Sequence, residues 1–121
     1  MKRTSLKVLT LDGEPYDTKI WVILGTPEQA RKWKRKSVYS DVDYQFETSG
    51  ASLCCEDYWP VMFINTVLDR KQRVQTFVHE CIHIVNHIFT RCGVLSDDGN
   101  DEHYAYFMSY LVRQAQNKKI I

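Results

Sequence analysis

The chain has 121 residues, 44% hydrophobic and 26% charged, with a formal net charge of +1. That length sets one domain with a true hydrophobic core and leaves little room for a second module. The near-neutral balance removes any global reason to expect a polyanionic or membrane partner, and no apolar run approaches a membrane-spanning length.

Met1-Lys2-Arg3-Thr4-Ser5 leads into alternating residues instead of the apolar stretch of a signal peptide, so a cytoplasmic location is expected. Leu6 to Leu11 reads as a first strand, and Asp12-Gly13 supplies a turn. Ile20-Trp21-Val22-Ile23-Leu24 is a continuous apolar run, the pattern of a strand covered on both faces. Gly25 ends it. Thr26 then starts a helix with a hydroxyl cap, Pro27 at the first helical position and Gln29 closing a capping box. That helix is expected to run to about Lys36.

Val42, Tyr44 and Phe46 alternate with polar residues as a half-buried strand does, and Ser49-Gly50 offers a turn. Leu53 to Trp59 reads as a further strand, confined to an edge or broken by Pro60. Val61-Met62-Phe63-Ile64 is a second apolar run and the next strand. Asp69 and Gln72 form the cap of a long helix expected over about Arg70 to Arg91, stopped by Gly93. Phe77, Val78, Cys81, Ile82, Val85, Ile88 and Phe89 mark its apolar stripe. A turn over Ser96 to Asn100 precedes a last helix from about Asp101 to Asn117. Strands first and two long helices last make the class α+β, with a small mixed or antiparallel sheet.

Within the long helix stands His79-Glu80-Cys81-Ile82-His83. Histidines four apart lie about 6 Å along a helix axis and about 40° around it, so both imidazoles can meet one zinc ion. The intervening Glu80 is then placed beside a coordinated water as general base. His87 extends the row but lies about 12 Å along the axis from His79, which leaves it outside the ligand set. A catalytic zinc takes three protein ligands and keeps one position for water. The last helix offers Asp101, Glu102 and His103, and Glu102, with eighteen residues between it and His83, is the expected third ligand.

On these residues the chain resembles the small zincin metallopeptidases of the gluzincin type, and its size and element order resemble minimal members from phages and prophages. The resemblance covers about residues 61 to 113, and its second string is Glu102-His103-Tyr104-Ala105-Tyr106. It implies one zinc per chain, a peptide or protein substrate, and an extended peptide held along a sheet edge formed by Val61, Met62, Phe63, Ile64 and Asn65. A zinc-activated water would attack a carbonyl, with Glu80 taking and returning the proton. His103, Tyr104 and Tyr106 are candidate donors to the oxyanion, and Asp101 a candidate for orienting a ligand histidine. The chain has no room for the second helical subdomain of larger members, so the cleft is expected to be shallow or covered by a partner.

Blander readings stand beside these. Glu102 suits the first turn of a helix through the helix dipole alone, and His103, Tyr104 and Tyr106 suit packing. Arg31-Lys32-Trp33-Lys34-Arg35-Lys36 reads as a solvated helix face with one anchored indole in preference to a nucleic-acid site. Cys54, Cys55, Cys81 and Cys92 lack the C-x-x-C spacing of a structural zinc site and are expected as reduced thiols. The rival function is a non-catalytic interaction protein that keeps the zinc for stability, closed by a fourth ligand from His103, Asp101 or a cysteine.

Overall fold

Apolar strands and capped helices assemble as a three-layer α+β domain in a computed structural model that describes residues 5–42, 49–94, 99 and 101–121. The elements run β1 (Lys7–Asp12), β2 (Lys19–Gly25), α1 (Pro27–Arg35), β3 (Gly50–Leu53), β4 (Val61–Asn65), α2 (Arg70–Arg91) and α3 (Asp101–Asn117). The sheet order is β1-β2-β4-β3, with β2 and β4 parallel and both outer pairs antiparallel. The two continuous apolar runs thus occupy the two central positions, as runs covered on both faces should.

Alternation along those strands divides the core. Val22, Leu24, Met62 and Ile64 face α2 and α3, while Ile23, Val61 and Phe63 face the α1 side with Ala30 and Tyr39. Both capping boxes form: Gln29 N donates to Thr26 Oγ1 at 3.2 Å, and Gln72 N donates to Asp69 Oδ1 at 2.8 Å. The α2 helix ends with Cys92 as C-cap and Gly93 at φ +73°, the left-handed conformation glycine adopts without a Cβ penalty.

Several expectations change. Val61 to Asn65 is not the sheet edge: β4 is flanked by β2 and β3, so its backbone groups are spent on both neighbours. Among the described residues the edge on that side is β3. The strand expected over Leu53 to Trp59 instead ends at Leu53, because Leu53 pairs with Val61 and the residues between them must form the connection. Gly50 is no turn but the first residue of β3, paired with Ile64. On α2, Val78 and Ile82 are 38% and 42% exposed, whereas Ile84 and Glu80 are buried. The strand expected around Val42, Tyr44 and Phe46 lies outside the described residues apart from Val42, and the turn before α3 does so apart from Gly99.

The outer edge of β1 is met by side chains of α3 and of Lys118 just after it. Asp12 N donates to Gln114 Oε1 at 2.7 Å, Gln114 Nε2 donates to the Asp12 carbonyl at 2.9 Å, and Lys118 Nζ donates to the Thr10 carbonyl. No helix among the described residues is long and apolar enough to cross a membrane.

Candidate metal centre

The α2 helix lies across β4 and β3 with its core stripe on the sheet, which turns the row containing His79 and His83 toward the β3 side and solvent. Its close approach depends on Gly50: a Cβ there would collide with Thr76 Cγ2 and sit 3.0 Å from the Phe63 carbonyl oxygen. The same hypothetical Cβ would lie 3.5 Å from Glu80 Cγ. Glycine therefore lets α2 pack against the edge strand, and Glu80 is 8% exposed as a result.

His79, Glu80 and His83 converge. Each offers one ligand atom, and the three atoms lie within 4.8 Å of one another. His79 Nε2 is 3.9 Å from Glu80 Oε2, and the two imidazole centroids are 5.1 Å apart at an interplanar angle of 74°. Donors about 2 Å from a common zinc stand roughly 3.3 Å apart, so small side-chain rotations bring the two imidazoles onto one ion. The two imidazoles are borderline donors of the kind zinc accepts, and the Glu80 carboxylate stands beside them, where it can act on a coordinated water without being a ligand itself; the residues fit the ion.

These groups line a cavity of about 930 Å³ whose other wall is the β3 edge. Ser49, Gly50, Ser52 and Cys54 supply that wall, and Gln75, Thr76, Asn86, His87 and Thr90 continue the α2 side. Among the described residues the lining holds no lysine or arginine, and Glu80 is its one carboxylate. His87 Nε2 is buried and meets no hydrogen-bond partner among those residues. The Cys54 thiol is pushed up to about 11, chiefly by desolvation and further by Cys55 and the Glu80 carboxylate.

The residues expected from α3 are not brought to this cavity. Glu102 is exposed and belongs neither to the converging group nor to the lining. Tyr104 packs on Phe89 with ring centroids 5.5 Å apart, and its hydroxyl donates to the Ile82 carbonyl at 3.4 Å. Two residues span about 200° of helix, so the Glu102 side chain leaves α3 on the side away from that contact. His103 and Tyr106 line a separate pocket, and Asp101 is exposed outside both. The wall from β3 was missed in the sequence because Gly50 read as a turn, although Gly50, Ser52 and Cys54 carry the period of a strand face.

Comparison with protein-family models, curated proteins and solved structures finds no match to this chain.

Proposed function

We propose that the protein is a zinc-dependent hydrolase of the metallopeptidase kind, with His79 and His83 holding the ion and Glu80 as general base. The observation that carries the reading is the convergence of those three side chains in an open cavity walled by a sheet edge. Zinc held there would supply a Lewis acid that lowers the pKa of a coordinated water toward neutrality. Glu80 takes a proton at its carboxylate and delivers it to the leaving amine. The burial of Glu80 against Gly50 fixes that carboxylate in place, and the β3 edge is the strand along which a peptide would align. For Glu102 to complete the ligand set, as the family resemblance implies, the first turn of α3 would have to swing toward α2 from the position described above. A cytoplasmic setting agrees with four free cysteines.

A second reading has one observation in its favour. Cys54 lines the same cavity as the converging group and can supply a thiolate that closes the site, making the ion structural.

Elemental analysis of the purified chain tests the reading first. One zinc per chain is expected in the parent, lost in His79→Ala and held much more weakly in Glu102→Ala. Full zinc occupancy in His79→Ala would refute the assignment. Full affinity in Glu102→Ala combined with loss in Cys54→Ala would move it to the structural reading.

A further inference from the structure

A second pocket lies on the opposite flank of the helical layer, between the β1–β2 turn and α3. Its volume is about 400 Å³, and it is lined by Glu14, Pro15, Tyr16, His103, Tyr106, Phe107 and Tyr110. Four of these seven residues are aromatic. Tyr16 anchors the turn in the core, with its ring 4.9 Å from Phe107 and 5.1 Å from Phe89. Tyr106 and Tyr110 stand four apart on one face of α3, where side chains are neighbours. Tyr106 is 73% exposed and Tyr110 38%, so core packing accounts for neither ring being there.

Two carboxylates stand beside the rings; among the described residues His103 is the one basic side chain in the lining, and Lys19 and Lys118 lie near Asp12. Glu14 is in the lining, and the Tyr110 hydroxyl donates to Asp12 Oδ2 at 2.7 Å, which places a second carboxylate behind the ring. Among the described residues the lining holds no lysine or arginine. The Tyr110 phenol is held above its ordinary range by that hydrogen bond first, and by burial and the charges of Asp12 and Glu14 after it. The Glu14 carboxylate and the ring faces favour a cation over an anion.

We propose that this pocket binds an N-methylated ammonium cation, with Tyr16, Tyr106, Phe107 and Tyr110 supplying ring faces and Glu14 the counter-charge. A cation within about 6 Å of an aromatic centroid is drawn by the ring quadrupole, most strongly where water is displaced. The methylated form fits better than a bare ammonium. A bare ammonium leaves water only in exchange for several hydrogen-bond acceptors, and Glu14 is the one carboxylate in this lining. The volume stands near the lower end for ligand sites, which suits a single head group or one side chain. The source is either a free amine such as choline or a trimethylated lysine on a protein. The site shares no lining residue with the metal cavity, so it stands whether or not the zinc reading does.

Proton NMR titration of the full chain with choline is the test, repeated with the uncharged carbon isostere of choline and with a peptide carrying trimethyllysine. Choline is expected to bind saturably, its N-methyl signal moving upfield as the ring currents of the tyrosines act on it. The isostere is expected to bind about tenfold more weakly or worse, since it lacks the charge. Tyr106→Ala is expected to weaken choline about three- to thirtyfold, and Glu14→Gln to weaken it as well. Tighter binding of the peptide than of choline would name a protein as the source, and equal affinity a free amine; either supports the site. The proposal is overturned if neither cation saturates, if the isostere binds as well as choline, or if both variants keep the parent affinity. Tyr106 is largely exposed, so its replacement leaves the fold intact, and Glu14→Gln gives an independent reading at the turn.

Discussion

Glu80 combines two properties that the proposed role of proton acceptor needs: a carboxylate 3.9 Å from His79 Nε2 and a stem packed beside the edge strand. At 8% exposure the residue is largely enclosed, and its stem lies beside Gly50 of the edge strand. Glu80→Gln keeps the shape and removes the base. In the proposed hydrolase it is expected to retain zinc and lower turnover of a peptide substrate by about 10²- to 10⁴-fold. Unchanged turnover in a zinc-loaded variant would end the general-base assignment. Cys81, on the next position of the same helix, is fully buried, and that burial pushes its thiol up to about 12. The reactive species is the thiolate, so at pH 8 the native chain is expected to take iodoacetamide at exposed Cys92 and to spare Cys81. Mass spectrometry of peptides from the labelled protein checks this; rapid labelling of Cys81 without unfolding would contradict its burial.

At the scale of elements, Gly50 and α2 depend on each other. Gly50→Ala places a methyl group against Thr76 and the Phe63 carbonyl, so the Thr76 side chain or the helix that carries it must give way. A loss of about 1–3 kcal/mol is expected, the usual range for overpacking. Denaturant unfolding measures it, and zinc affinity should fall in parallel because the converging group rides on the same helix as Thr76. This coupling explains what could be read from residue order and what could not. Thr26-Pro27 with Gln29, and Asp69 with Gln72, announce their helices because capping is a contact among neighbours in sequence. His79, Glu80 and His83 were equally legible, since the helical period alone brings them together. The relation of Glu102 to them was not, because it depends on the angle between α3 and α2 and on the chain linking them. The place of β4 followed from its own unbroken apolar run, which marks a strand covered on both faces; the family resemblance pointed to an edge and was the poorer guide. Cys54 to Trp59 looked extended by composition, yet the pairing of Leu53 with Val61 leaves those residues no partner strand in the sheet.

For the whole molecule, the sheet separates two kinds of surface. Its α2 end carries a polar cavity with His79, Glu80 and His83, and the α3 flank carries an aromatic pocket lined by Glu14. The two edges of the sheet are also treated differently. On the β3 side the strand borders the cavity, while on the β1 side Gln114 occupies both the amide and the carbonyl of Asp12, and Lys118 takes the Thr10 carbonyl. A glutamine side chain carries the same donor and acceptor as a peptide unit, so α3 imitates one residue of a further strand. Uncovered strand edges recruit strands from other molecules. Gln114→Ala is therefore expected to scatter more light than the parent, increasingly with concentration and time, without loss of the core. A variant that scatters no more than the parent would assign the guard to Lys118 alone. The C-terminal half of the last helix is thus bound to the sheet edge through Gln114, a constraint independent of anything bound at its start.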